Sequence, residues 1–153
     1  SEHEICKDTS YLCAVADPNT RFRIGNDFLN KGATFINYIH HTAKIRERVI
    51  MGVGNIFCPN TWVSPDTSVG NFVLVNCISG FAHDCTIGDA CTINGVCQIN
   101  GCCTLGNCVF LGSGAIIVPG RKIGDHAKIS AGAVVFSNVK ANRTMVGNPA
   151  TVL

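Results

Sequence analysis

The architecture this 153-residue sequence predicts is a parallel β-coil of six-residue units, with a short strand–helix–strand ahead of it. Three observations carry that reading. The first is composition: 46% apolar, 14% charged and 16 glycines is too hydrophobic for disorder and too punctuated by glycine for a helical bundle, which leaves a β-rich class. The second is a period. Steps of six from Ile39 meet Ile45, Met51, Phe57, Val63, Val69, Val75, Phe81, Ile87, Ile93, Ile99, Leu105, Leu111, Ile117, Ile123, Ile129 and Val135, 17 apolar residues without a gap. At this apolar content chance gives such a run with probability of about 10⁻⁵, and neither a helix nor strand alternation explains it. The third is a companion series four residues on, from Ala43 to Ala133, small at every step but Asn55 and Arg121.

Residues 1–38 come first. Leu12–Ala16 reads as a buried strand, and Asp17-Pro18 with Asn19 or Thr20 as a helix start. Ile24, Phe28 and Leu29 make the helix's apolar face and Lys31-Gly32 its stop, before a second strand from Thr34 to Tyr38. Residues 39–140 then supply five to six coils. Three six-residue units close an 18-residue triangular turn, with the aliphatic side chain inside and the small one where walls crowd together. Residue n lies beside n+18, so Val63, Phe81, Ile99, Ile117 and Val135 share one interior ladder. The residue after each aliphatic is often Gly or Asn, as at Gly70, Asn76, Gly88 and Asn94, and these are the expected positive-φ corners. Residues 141–153 leave the repeat through Gly147-Asn148-Pro149-Ala150, with Pro149 marking an extended exit.

The period also accounts for most of the ten cysteines. Cys85, Cys91, Cys97 and Cys103 fall in the small slot and read as small hydrophobes, spread over three walls where they do not converge on a metal. Cys77, Cys102 and Cys108 fall at other positions, and their surroundings are not legible. The net charge of +2 without a basic run argues against nucleic acid. No apolar stretch reaches the roughly 18 residues that span a bilayer, and Ser1-Glu2-His3-Glu4 has no signal-peptide character, so a soluble, cytoplasmic chain without membrane partners is expected.

Asn37-Tyr38-Ile39-His40, the hexapeptide run, Phe81-Ala82-His83-Asp84-Cys85-Thr86-Ile87-Gly88-Asp89, Ile129–Val135 and Gly147-Asn148-Pro149-Ala150 resemble the bacterial sugar acetyltransferases. Within these the sequence is most similar to the sialic acid O-acyltransferase and nucleotide 4-amino-sugar N-acetyltransferase (NeuD/PglD-like) family, over roughly residues 12–153. The resemblance implies a left-handed β-helix, although crossover rules alone would favour the right hand. It also implies a homotrimer with active sites between subunits, acetyl-CoA as cosubstrate without a metal, and a sugar acceptor acetylated on an amino or hydroxyl group by direct attack on the thioester.

In that family the histidine of the H-D/E pair is the base, which the resemblance carries to His83; an amine or hydroxyl acceptor needs a proton acceptor of near-neutral pKa, and imidazole supplies one. Asp84 would orient the ring, though strand neighbours face opposite sides, so contact needs a bend or a neighbouring subunit. Gly101, one coil above His83, would admit the thioester and donate its N–H to the carbonyl oxygen; the other reading is a corner glycine. The matching cofactor groove places Gly112, Ser113, Ser130, Ala131 and Gly132 beside acetyl-CoA, with Arg121, Lys122 and Arg143 as phosphate contacts or simply solvated charge. Asn76 and Thr92 match positions that can face the acceptor, Thr92 standing where some relatives have a second histidine, and Asn76 reads equally as a corner residue. His40 reads as structural; His3 and His126 carry no signal.

The departure from the family is at the N-terminus, where a Rossmann-like domain with a Gly-rich loop is reduced to its last strand–helix–strand. Either the chain is part of a longer one, which Ser1 in place of Met permits, or its acceptor binds differently; acetyl-CoA is expected to bind and a nucleotide amino-sugar to bind weakly. Two alternatives stay open on the same fold. One is a catalytically silent structural β-helix, and the other a γ-carbonic-anhydrase-like enzyme, which needs three gathered histidines where this chain has His83 and, 43 residues on, His126.

Overall fold

The computed structural model describes residues 4–6 and 8–153; His3 and the opening residues of the leader reading lie outside them. Two-residue strands stack into three parallel sheets, one per wall of a left-handed β-helix of about six turns. The first wall begins at Tyr38–Ile39, the second at Lys44–Ile45 and the third at Ile50–Met51. The register is the expected one, with Val63, Phe81, Ile99, Ile117 and Val135 paired in succession along the second wall. The interior aliphatics from Phe57 onward are almost wholly buried.

The corners differ from expectation. From Ile45 to Ile129 left-handed backbone occurs three residues after the interior aliphatic, at Asp66, Phe72, Asp84, Ala90 and Cys102 among others, and at glycine in Gly114, Gly120 and Gly132. Gly70, Gly88, Gly106 and Gly124, one residue after the aliphatic, have another reason to be glycine: a Cβ there would stand 2.1–2.6 Å from an atom of the next coil. Above Gly70, Gly88 and Gly106 that coil supplies an Asp or Asn whose carboxylate or amide oxygen accepts from the backbone below, as Asp89 does from the Asn71 N–H at 2.7 Å and Asp125 from the Asn107 N–H at 2.7 Å, while above Gly124 it is the Ala141 backbone that comes close. Close approach, rather than turn geometry, selects these glycines. Asn76 likewise is no left-handed corner; its amide donates to Asn94 Oδ1 at 3.2 Å.

The small slot explains the cysteines more fully than size alone. Cys85, Cys91, Cys97 and Cys103 each donate a thiol proton to a carbonyl 15 residues on, at 3.1–3.3 Å. Thr67 and Ser79 occupy the same slot and do the same at 3.0 and 2.8 Å. The slot asks for a small side chain with one donor, which a thiol satisfies weakly. Burial pushes the Cys85 thiol up to about 11 and Cys91 to about 12, so these groups are inert protonated thiols.

Ahead of the coil, β1 (Ser10–Tyr11) pairs in parallel with β2 (Thr34–Phe35), and α1 (Pro18–Asn30) crosses between them. The strand is shorter and earlier than Leu12–Ala16, and Leu12 itself is exposed. Asp17 caps the helix by accepting from the Thr20 N–H at 2.8 Å, which holds its carboxyl below the usual range. Gly25 sits where a Cβ would meet the Phe72 ring at 2.7 Å, so a glycine that costs a helix about 1 kcal/mol lets α1 pack directly on the coil. At the other end, Thr144–Val146 extends the first wall beside Lys128–Ile129, and Thr151–Val152 pairs antiparallel with it. The Gly147–Ala150 segment is therefore a turn back onto the wall and not an extended exit.

Candidate active site

The second-to-third-wall corner is Ala82-His83-Asp84, directly below Asn100-Gly101-Cys102 and above Ser64-Pro65-Asp66. Backbone bonds stack these corners: Asp84 N–H donates to Pro65 O at 3.2 Å, and Cys102 N–H to His83 O at 2.9 Å. Because Asp84 takes up left-handed backbone (φ 58°), its side chain swings round to the same side as its neighbour. The two groups meet within one chain, with His83 Nδ1 2.7 Å from Asp84 Oδ2. The bend required by strand alternation is thus the corner itself. A carboxylate only accepts, so Nδ1 donates, and in the neutral ring the lone pair sits on Nε2.

That Nε2 edge lies over Gly101, where a Cβ would stand 2.8 Å from both Nε2 and Cε1. Gly101 is not in the left-handed region; Cys102 is the positive-φ residue of its corner. The corner-turn reading of Gly101 does not hold, and what approaches its α-carbon within this chain is the His83 ring. Gly101→Ala is accordingly expected to leave the melting temperature near wild type while displacing the imidazole, lowering kcat roughly 10–100-fold. Steady-state kinetics beside a thermal melt checks this.

The corner is open to solvent, with the side chains of His83 and Asp84 63% and 57% exposed. One coil below, Arg48 and Asp66 form a two-pronged pair at 2.6 and 2.8 Å. It holds the Asp66 carboxyl below and the Arg48 guanidinium above their usual ranges. Arg48 compensates the Asp66 charge, which leaves Asp84 as the carboxylate beside His83. Cys102, whose surroundings the sequence did not reveal, stands exposed beside His83 and Asp84, with ligand atoms of all three within 4.8 Å of one another.

The other sequence candidates lie elsewhere. Asn76, Gly112, Ser113, Ser130, Ala131 and Gly132 occupy the first-to-second-wall corner, one wall away from His83 in the same chain. Gly112 is buried, with the Cβ position 2.5 Å from the Ala131 nitrogen, so it supports the next coil and offers no contact; Ser113, Ala131 and Gly132 are exposed. Thr92 is 1% exposed. Its hydroxyl accepts from Arg21 Nη2 at 2.8 Å and donates to Ala16 O at 2.9 Å, a structural role and not an acceptor contact. Arg121 bends back to Pro119 O at 3.1 Å. His40 Nδ1 lies 2.9 Å from Thr42 Oγ1, and His126 Nδ1 is 2.8 Å from Asn19 Oδ1.

Arg21 was missed. It is fully buried in α1, and its guanidinium donates to the carbonyls of Val15, Ala16, Phe72, Ala90 and Cys91 besides Thr92. Burial pushes its pKa down, and the ring of carbonyl oxygens offsets that penalty while fastening the helix to two coils. The available signal was its spacing: 21, 24 and 28 put it on the apolar face of the helix.

Comparison with known proteins agrees with the fold. The family model described as bacterial transferase hexapeptide (six repeats) matches residues 102–137. GDP-perosamine N-acetyltransferase of Escherichia coli O157:H7 is 36% identical over 142 residues, 90% of this chain, and the chain spans 64% of that relative's length. The structure of WeeI from Acinetobacter baumannii AYE is 30% identical with a TM-score of 0.90, covering 94% of this chain and 70% of that one. This chain belongs to the hexapeptide-repeat family. The structure of PerB from Caulobacter crescentus, solved with CoA and GDP-perosamine, superposes with a TM-score of 0.93 at 27% identity over 95% of this chain and 70% of its own.

Proposed function

We propose that the protein transfers an acetyl group from acetyl-CoA to the amino group of a nucleotide-linked sugar, with His83 as general base. The observation that carries this is the His83–Asp84 pair at 2.7 Å, its free Nε2 edge lying over a glycine. The amine attacks the thioester carbonyl and passes its proton to Nε2, the carbon–sulfur bond breaks, and the imidazolium returns the proton to the departing CoA sulfur. Asp84 holds the ring in the required tautomer and stabilises the imidazolium. Gly101 leaves room for the imidazole, and its N–H is the donor offered to the developing negative oxygen. Asp84 favours approach of the protonated amine, which gives up its first proton to solvent before attack. That relatives are an N-acetyltransferase of GDP-perosamine and a protein crystallised with CoA and GDP-perosamine favours an amine over a hydroxyl acceptor.

Ser113, Ser130, Ala131 and Gly132 reach this chemistry only across a subunit boundary, because in one chain they are a wall away. A homotrimer, in which the first corner of one copy faces the His83 corner of the next, closes a groove of small residues around the pantetheine arm. The test is CoA release from acetyl-CoA over a panel of nucleotide-linked amino-sugars, run beside light scattering. Transfer should give one CoA per acetylated amine from a species of three times the chain mass. Binding of acetyl-CoA without release on any amino-sugar would point instead to a silent β-helix.

A further inference from the structure

We infer that His83, Asp84 and Cys102 form an inhibitory zinc site. The inference concerns the same corner as the proposed active site; its inhibitory half rests on His83 being the base, while its binding half does not. Imidazole, carboxylate and thiol are the donors zinc accepts, and the thiol sets the trio apart from the all-oxygen sets that suit magnesium or calcium. Their ligand atoms already lie within 4.8 Å of one another. With zinc–sulfur and zinc–nitrogen bonds of about 2.3 and 2.1 Å, tetrahedral ligands stand roughly 3.5 Å apart. The difference is a rotation of exposed side chains, not a backbone change.

The fold brings these groups together for identifiable reasons. Asp84 and Cys102 are the left-handed residues of successive corners (φ 58° and 60°), so both side chains leave the coil on one side. The Cys102 N–H to His83 O bond at 2.9 Å fixes the vertical spacing between the two corners. The cysteines of the small slot cannot compete, since they are buried and give their thiol protons to carbonyls. Three protein ligands leave a fourth tetrahedral position for water or a departing thiolate. Metal on Nε2 takes the lone pair that would accept the substrate proton, and metal on Nδ1 displaces the proton shared with Asp84. Either way the base is lost until the metal leaves.

The experiment is titration of metal-depleted protein with zinc against a chromogenic chelator, and with cobalt(II) followed by absorption. One zinc per chain is expected, with a thiolate-to-cobalt charge-transfer band in the near ultraviolet. Cys102→Ser should abolish the band and weaken zinc at least about tenfold, as loss of a soft ligand does. Cys102→Asn, the residue this slot already holds at Asn60 and Asn142, should do the same. Cys77→Ser, which removes an exposed thiol at another corner, should change neither. In turnover assays zinc should inhibit the wild type reversibly, with recovery on chelation, while Cys102→Ser keeps its activity at that zinc concentration. Zinc affinity and a cobalt band unchanged by Cys102→Ser, or lost equally in Cys77→Ser, would overturn the site. If no acetyl transfer is found at all, the binding titrations still decide whether the site exists.

Discussion

His83→Ala is expected to lower acetyl transfer by at least about 100-fold, the usual contribution of a positioned general base, with the melting temperature and acetyl-CoA affinity near wild type. The two halves follow from the same geometry. The imidazole is exposed, and among the described residues its hydrogen bond is to a similarly exposed carboxylate, so little stability goes with it. No coil contact depends on it, since the corner is held by the His83 carbonyl and not by the ring. The loss should therefore appear in kcat rather than in KM for acetyl-CoA. Turnover within a few-fold of wild type in a folded His83→Ala protein would remove the base from the mechanism.

Ile99→Asp is expected to abolish folding. Ile99 sits between Phe81 and Ile117 in the interior ladder at 2% exposure. A neutral acid is the less costly form there, yet it still loses the aliphatic packing, about 2–5 kcal/mol, and leaves a carboxyl with no partner, about 1–3 kcal/mol. An ionised carboxylate would cost more. Against a typical stability of about 5–15 kcal/mol, with the damage passed to both neighbouring coils, the coil does not survive. Circular dichroism and solubility report the outcome, and a soluble variant melting as the wild type does would refute the interior register.

The coil was readable from residues alone because its interior admits one kind of side chain at every sixth position, and a repeat of that length leaves no rival architecture. The reason for its glycines was not readable. Gly70 and Gly88 looked like turn residues, but a Cβ at either position would collide with the next coil, and that contact lies 18 or 19 residues away. His83 and Asp84 were identifiable by resemblance, while their contact depended on a left-handed aspartate that no local pattern announces. Arg21 and Thr92 show the converse. Each is polar, each could have faced a ligand, and each proves to be buried with the other, because the helix lies across the first wall and tertiary packing decides which polar groups remain free.

These coils themselves are expected to hold acetyl-CoA for transfer at His83. The measurement that tests it most directly is calorimetric titration of acetyl-CoA into the 153-residue chain. Saturable binding of one acetyl-CoA per chain, with an affinity in the range on the order of 1 μM to 1 mM usual for enzyme substrates, is the predicted result. Absence of binding at millimolar acetyl-CoA, by a folded protein, would contradict it.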